Sequence, residues 1–182
     1  MPDLNADAAL VQRCRAGDRA AQLELVERHQ QPVFRAVMRI LGHREDALDA
    51  TQATFLKVFE RLDQYDPAHR LFSWIYRIAI NEAVDRSKRV RRHEELSDDL
   101  VSDAASPDSQ KDADRLAHAL QVGLASLTED YRIVLVLRHF SDCSYEEIAA
   151  IVGVPEKTVK SRLHSARQQL RDKLLADGIT PG

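Results

Sequence analysis

The predicted helix that begins near Pro155 carries several polar and basic side chains close together. They are Thr158, Lys160, Ser161, Arg162, His164 and Arg167. Lys and Arg bond to guanine edges and to phosphates, and Ser and Thr bond to either bases or phosphates. The same helix repeats apolar residues at spacings of four, three and four, which predicts a buried stripe: Val159, Leu163, Ala166 and Leu170. A helix of this kind is typical of those that enter the DNA major groove.

The residues before this helix predict the other half of a helix-turn-helix. Ser144 and Glu147 form a capping-box pattern, so a helix is expected to start there. Gly153 suits the left-handed residue that ends a helix, and Pro155 suits the first position of the next one. The alternative interpretation is an ordinary helical hairpin with a solvated basic face. The order of cap, corner and basic second helix favours the helix-turn-helix.

Composition limits the class of protein. The 182 residues allow one or two domains, and 44% hydrophobic residues are enough to form cores. No apolar run approaches the roughly 18 residues of a membrane span, and the acidic start lacks the basic residues of a secretory signal. Cys14 and Cys143 stand alone, so both are expected to be small buried hydrophobes. We expect a cytoplasmic protein without membrane insertion.

The net charge of −3 is unevenly distributed. Residues 93–115 hold eight acidic side chains against two basic ones, so this segment carries −6 and leaves +3 for the rest. A basic cluster precedes it at Arg86, Lys88, Arg89, Arg91 and Arg92. Basic clusters on both sides of an acidic spacer favour a nucleic-acid-binding protein.

Helical periodicity runs through most of the chain, and strand signals are almost absent. Asp18 and Gly42 are expected to cap the second helix, with a kink or break at Pro32. The inner face of this helix is expected to hold Leu23, Val26, Val33, Val37 and Leu41. Thr128 is expected to cap a later helix. The predicted fold class is all-α: two small helical domains joined by a flexible acidic linker, the C-terminal one a helix-turn-helix. The predicted bounds are 1–92, 93–115 for the linker, and 116–182.

Three segments, in order, resemble the extracytoplasmic-function sigma factors of bacterial RNA polymerase. Tyr-Glu-Glu-Ile-Ala from Tyr145, Gly-Val-Pro from Gly153 and Thr-Val-Lys-Ser-Arg-Leu from Thr158 resemble the promoter-binding end of that family. Residues 46–55 resemble its polymerase-binding helix. Asp66-Pro67, followed by Trp74 to Asn81, resembles its minus-10 segment. The resemblance covers about residues 10–92 and 113–175, and it implies a sigma factor that directs promoter recognition and transcription initiation.

The resemblance implies three sets of functional residues. Those expected to bind core RNA polymerase are Asp46, Asp49, Gln52, Phe55 and Leu56. Those expected to bind minus-10 DNA are Lys57, Tyr65, Arg77, Asn81, Lys88 and Arg89, with a flipped base received by the loop at Tyr65. The six side chains from Thr158 to Arg167 named above are expected to bind minus-35 DNA. Leu48, Ala53, Leu71 and Ser165 depart from the family pattern.

An aromatic side chain in this region either packs in the core or stacks on a DNA base. Trp74 lies within an apolar helical stripe and is expected in the core, whereas Tyr65 lies in a loop with no stripe to join. By resemblance, the acidic linker threads toward the polymerase active-site channel. From the sequence alone it is equally a solvated tether.

The expected partners are core RNA polymerase, promoter DNA and an anti-sigma factor. The chain ends soon after its last helix, and the family commonly uses an inhibitor in trans. No cofactor, metal or small-molecule substrate is expected, because the seven His residues are dispersed and no phosphate loop or nucleophile elbow is present. The rival hypothesis is an autonomous helix-turn-helix regulator, which would leave the two N-terminal segments unexplained.

Overall fold

A computed structural model of the chain describes residues 4–96 and 112–179. The described residues are helical and contain no strand, which confirms the predicted fold class. The helices are α1 (Leu4–Arg15), α2 (Arg19–Leu41), α3 (Arg44–Glu60), α4 (Leu71–Leu96), α5 (Asp112–Ser126), α6 (Glu129–His139), α7 (Tyr145–Val152) and α8 (Glu156–Ala176). Residues 97–111, which hold most of the predicted linker, lie outside the described residues.

The ends of α2 follow from its capping residues. Asp18 accepts hydrogen bonds from the amides of Ala20 and Ala21, at 2.9 and 3.2 Å, as predicted. Gly42 ends the helix in the left-handed conformation, at φ 77°, and its amide bonds to the Met38 carbonyl. The helix is continuous through Pro32, so the predicted break was wrong.

The inner face of α2 agrees with the prediction at Val33 and Val37 and differs from it at Leu23. Leu25 and Val33 are fully buried, with Ala21 and His29 on the same face. Leu23 is 58% exposed, because a position two residues away on a helix lies about 200° around the axis. The expectation that Leu23 faces inward was therefore wrong.

Helices α1 to α4 form the N-terminal domain, in which α4 contacts each of the other three. A 3₁₀ turn, Leu62–Gln64, follows α3 and leads into the loop before α4. Arg15 of α1 donates to the carbonyls of Leu62 and Tyr65, at 2.8 and 3.0 Å. These bonds hold the loop against the domain and satisfy carbonyls that no helix uses.

Helices α5 to α8 form the C-terminal domain. Ser144 and Glu147 complete the capping box at the start of α7, and Gly153 ends α7 at φ 71°, as predicted. Pro155 is the N-cap of α8, one position earlier than expected. Thr128 occupies the N-cap of α6, as predicted, but its side chain makes no capping hydrogen bond there. Both cysteines are buried, as predicted.

The two domains are in contact. Helix α4 packs on α7, and α2 packs on α5 and α6. Arg132 of α6 donates to the carbonyl of Ile40 in α2, at 2.6 Å. The guanidinium of Arg39 lies 4.2 Å from the centre of the Phe140 ring. Polar and cation–π contacts therefore accompany the apolar packing between the domains.

The two leucines of α2 give a matched test of this core. We expect Leu25→Ala to lower the free energy of unfolding by about 2–5 kcal/mol, because it leaves a cavity. Leu23→Ala should change it by less than about 0.5 kcal/mol, because the side chain is exposed. Urea unfolding followed by circular dichroism measures both. Equal effects would show that α2 is rotated relative to this structure.

Candidate polymerase and nucleic-acid interfaces

Helix α3 presents a mixed acidic and apolar face. Asp49 and Gln52 are exposed, and Leu56, one turn further, is 65% exposed. Leu48 lies beside them at the surface. An exposed leucine among acidic and amide side chains is a surface suited to a protein partner.

The other face of α3 lies in the domain core. Phe55 is buried there, so it positions the helix and does not present a surface. Thr51 and Thr54 are also buried, and their hydroxyls donate to the carbonyls four residues earlier, at 2.7 Å each. These bonds satisfy the buried hydroxyls within the helix itself.

Arg86 of α4 holds two carboxylates of α3, a role that the sequence did not indicate. Its guanidinium donates to Asp46 at 2.7 Å and to Asp49 at 2.5 Å. The two carboxylates raise the pKa of Arg86, and the largest cause is the hydrogen bond that Arg86 donates to Asp46. The aspartates are three residues apart on one helix face, which is the only sequence signal for such a clamp. Arg86 thereby orients the acidic part of the α3 face.

Tyr65 does not stand apart from the core as expected. It is 3% exposed, its ring centre lies 5.6 Å from that of Trp74, and its hydroxyl donates to the His69 carbonyl at 2.7 Å. Burial raises the pKa of Tyr65. Trp74 is partly buried against the core. The rings of Tyr65 and Trp74 therefore pack between the loop and the domain core. Tyr65 supports the loop from the buried side and does not present a surface.

One face of α4 carries an exposed polar row. Arg77 and Asn81, four residues apart, are exposed on it, and Lys88 and Arg89 are exposed nearer its end. Lys57 of α3 lies beside this helix, but its ammonium is paired with Glu82. The predicted minus-10 side chains therefore lie along α4 and on the adjacent α3, except for the buried Tyr65.

The predicted minus-35 residues lie on α8. Lys160, Ser161, His164 and Arg167 are exposed. Thr158 is half-buried. Arg162 has only 24% of its side chain exposed, and its guanidinium pairs with Asp130 of α6 at 2.6 Å. In this conformation Arg162 joins α8 to α6, while its neighbours face outward.

Helix α6 adds basic residues that the sequence analysis missed. The guanidinium of Arg138 lies 5.2 Å from the Tyr145 ring centre, and the Lys160 ammonium lies 5.6 Å from it. Arg167 donates to His139 Nε2 at 3.1 Å, so His139 accepts as a neutral imidazole. Burial and the neighbouring guanidiniums lower the pKa of His139. This cluster extends the positive surface of α8 onto the end of α6.

The described residues hold neither a metal site nor a membrane-spanning helix. No group of three His, Cys, Asp or Glu side chains is placed to hold a metal ion in them. Over the same ranges, no helix is both long and apolar enough to cross a membrane.

Sequence families match both domains. The family described as Sigma-70 region 2 matches residues 25–95, and the family described as Sigma-70, region 4 matches residues 117–170. The first match contains α3 and α4, and the second contains the helix-turn-helix.

Individual relatives match nearly the whole chain. The ECF RNA polymerase sigma factor SigE of Mycolicibacterium smegmatis is 39% identical over 167 residues, which cover 87% of this chain and 64% of that relative. The ECF RNA polymerase sigma-E factor of Salmonella typhimurium is 31% identical over 180 residues, which cover 92% of this chain and 94% of the relative.

Solved structures match both domains together. CnrH, solved in complex with the cytosolic domain of CnrY, has a TM-score of 0.74 at 28% identity and covers 94% of this chain and 99% of its own. The sigma factor RpoE of Bartonella quintana, solved with the anti-sigma factor NepR, has a TM-score of 0.72 at 25% identity and covers 85% and 96%. One domain alone, roughly half of the chain, could not give such scores. By its sequence and its fold, the chain belongs to the ECF RNA polymerase sigma factor family.

Proposed function

We propose that this sigma factor docks on core RNA polymerase through the exposed face of α3 and reads promoter DNA with α4 and α8. The observation that carries the proposal is the presence of three separate exposed faces on one chain, each with chemistry suited to its partner. As a sigma factor, the protein is a transcription initiation factor and not an enzyme.

The polymerase-binding face consists of Asp49, Gln52 and Leu56, with Leu48 at its edge. Exposed Leu56 supplies apolar area that gains free energy only when a partner covers it. Asp49 supplies charge whose orientation Arg86 has already fixed, so less entropy is lost on binding. Asp46 and Phe55 act behind this face: Asp46 through Arg86, and Phe55 by packing.

The minus-10 face consists of Arg77 and Asn81 on α4, with Lys88, Arg89 and Lys57 for phosphates. Asn has both a donor and an acceptor for a base edge, and Arg bonds bases or phosphates. The loop above Tyr65 and Trp74 is the place for an extruded base, with Tyr65 as a support and not as the stacking surface.

The minus-35 face consists of Lys160, Ser161, His164 and Arg167 on α8, with Thr158 at its start and Arg162 behind it. Arg138 adds a phosphate contact beside the groove, since positive charge near phosphates releases counterions. We assign residues 1–92 to core binding and minus-10 recognition, and residues 116–182 to minus-35 recognition. Residues 93–115 are assigned to the acidic linker.

We further propose an anti-sigma partner and a cytoplasmic location. CnrH and the Bartonella RpoE were solved with CnrY and with the anti-sigma factor NepR, respectively, and each superposes on both domains of this chain. Polymerase and promoter DNA are in the cytoplasm. The rival function, an autonomous regulator, would leave the α3 face without a partner and would need dimerisation on two half-sites.

Two exposed leucines test the polymerase-binding face. We expect Leu56→Asp to weaken binding to core RNA polymerase at least about tenfold, because it places an unpaired charge in an apolar contact. Leu23→Asp, the same change at a similarly exposed leucine on α2, should leave binding unchanged. Biolayer interferometry on core enzyme measures both, with circular dichroism to confirm folding. Undiminished binding of the Leu56 variant would exclude α3 as the docking face.

Two lysines of α8 test minus-35 recognition. We expect Lys160→Ala to cost about 1–3 kcal/mol of promoter affinity in the holoenzyme, the usual cost of one base contact. Lys173→Ala, about 20 Å further along the same helix, should change it little. The measurement uses a promoter selected from a randomised library with the wild-type holoenzyme. Equal losses at both lysines would indicate a purely electrostatic surface without base reading.

Arg162 needs a test that separates orientation from DNA contact. We expect Arg162→Ala to weaken promoter binding, whereas Asp130→Asn should preserve or strengthen it, because that change releases the guanidinium toward DNA. Both variants are measured as holoenzymes on the selected promoter. Equal weakening by both would assign Arg162 only to joining α6 and α8.

A further inference from the structure

Helix α7 lies against the beginning of α4, beside the proposed minus-10 face. The guanidinium of Arg70, one residue before α4, is paired with the carboxylate of Glu147 in α7. Between the two helices is an open cleft of about 660 Å³. Arg70 and Arg77 line one side of it, and Glu146 and Glu147 line the other. Positive side chains of one domain therefore face carboxylates of the other.

The capping box holds the Glu147 side chain in position independently of Arg70. One of its carboxylate oxygens accepts the Ser144 amide at 2.8 Å in the capping box, and the other faces Arg70. Its side chain is only 15% exposed. A carboxylate fixed in this way loses little rotamer freedom when it binds a guanidinium, so the pair is stronger than a typical surface ion pair.

Other contacts between the domains support the same closed arrangement. Tyr76 of α4 is 2% exposed, and α4 packs there against α7. Burial raises the pKa of Tyr76 to about 12. Phe140 lies under Arg39 of α2. Closure therefore uses one face of α4 and the end of α2, and it leaves Lys160 and its exposed neighbours on α8 uncovered.

The contact resembles DNA binding in its chemistry. Arg pairs with carboxylates and with phosphates through the same guanidinium geometry. While Glu147 occupies Arg70, that guanidinium is not available to a phosphate of a DNA strand that approaches the start of α4. Removing α7 from α4 would expose Arg70 and open the cleft around Arg77.

We propose that α7, through Glu147, is an intramolecular latch that covers the start of the minus-10 face in the free chain and must separate from α4 before that face binds single-stranded DNA. The proposal rests on the assignment of α4 to minus-10 recognition. It gives the first helix of the helix-turn-helix a second function, as an internal substitute for DNA phosphate. Binding of both domains by polymerase would supply the free energy of opening.

The test uses the full chain and the variant Glu147→Gln. Glutamine keeps the capping box, because its amide oxygen still accepts the Ser144 amide, but it removes the charge that faces Arg70. Glu146→Gln is the matched control: the same charge change on the adjacent residue, which lines the cleft but is not the ion-pair partner of Arg70. The probe is fluorescein-labelled single-stranded DNA of random sequence, about 12 nucleotides long, a length that a small domain covers.

We expect Glu147→Gln to bind this probe about three- to tenfold more tightly than the wild type, because the open fraction of the free chain increases. Glu146→Gln should stay within about twofold, since a charge outside a fixed pair is largely screened. By small-angle X-ray scattering, the wild type should have a radius of gyration near the roughly 16 Å of a compact chain of this length, and Glu147→Gln a larger one. Equal gains in affinity for both variants, or equal radii for the wild type and Glu147→Gln, would overturn the latch.

Core-dependent transcription separates this proposal from the proposed function. Glu147→Gln with core polymerase should still initiate at the selected promoter, because the latch is open in the holoenzyme. Loss of initiation by the variant alone would make Glu147 part of the initiation machinery and would overturn the latch. Absence of initiation by the wild type as well would refute the proposed function. The scattering radii would still decide whether the free chain closes through Glu147.

Discussion

The structure depends on α4, which has to be buried on most of its circumference and still present polar side chains to a partner. Leu71, Ile75, Ala79 and Ala83 form a buried stripe at spacings of four, and α1, α2 and α3 pack around the helix. Burying large apolar side chains contributes about 1.5–3 kcal/mol each, far more than surface polar contacts. The packing therefore fixes the rotation of α4, and this rotation leaves only the narrow row that includes Arg77 for contact with DNA.

Ion pairs at the edges of this core orient the functional faces and add little to their stability. The pair of Arg86 with Asp46 and Asp49 is partly exposed, and such pairs contribute about 0–1 kcal/mol. Its effect is geometric, because it holds α3 and α4 together at the end where the acidic face begins. Arg162 and Asp130 do the same between α8 and α6. In each case a guanidinium from a helix that we propose to bind DNA fixes a neighbouring element.

In the C-terminal domain, the proposed latch would let one side chain serve both folding and regulation. Glu147 begins a helix, and in the latch proposed above it also closes the molecule. Because the capping box requires a carboxylate or an amide at this position, the charge that faces Arg70 is compatible with local folding. Polymerase would then compete with an internal contact that is weak enough to break and specific enough to hide one DNA face.

Local signals determined much of the fold. Asp18, Gly42, Ser144 and Gly153 each specify a helix end through a hydrogen bond or a backbone conformation within a few residues, so the sequence predicted those ends correctly. The order of basic and apolar residues on α8 likewise predicted which side faces outward. The predictions that were wrong depend on residues far apart in the sequence. The inward placement of Leu23 was wrong because the sequence does not show which of two overlapping apolar stripes the other helices cover.

The sequence by itself therefore determined the helices, their caps, the helix-turn-helix and the family, because all of these depend on short-range spacing. Only the tertiary structure decided that Tyr65 supports a loop from within the core, that Arg86 clamps α3 and that Arg70 meets Glu147. These partners lie 37 and 77 residues apart for the two ion pairs. Pairing at such separations depends on which helix faces pack together, and that follows from the burial of the whole apolar surface and not from any local pattern.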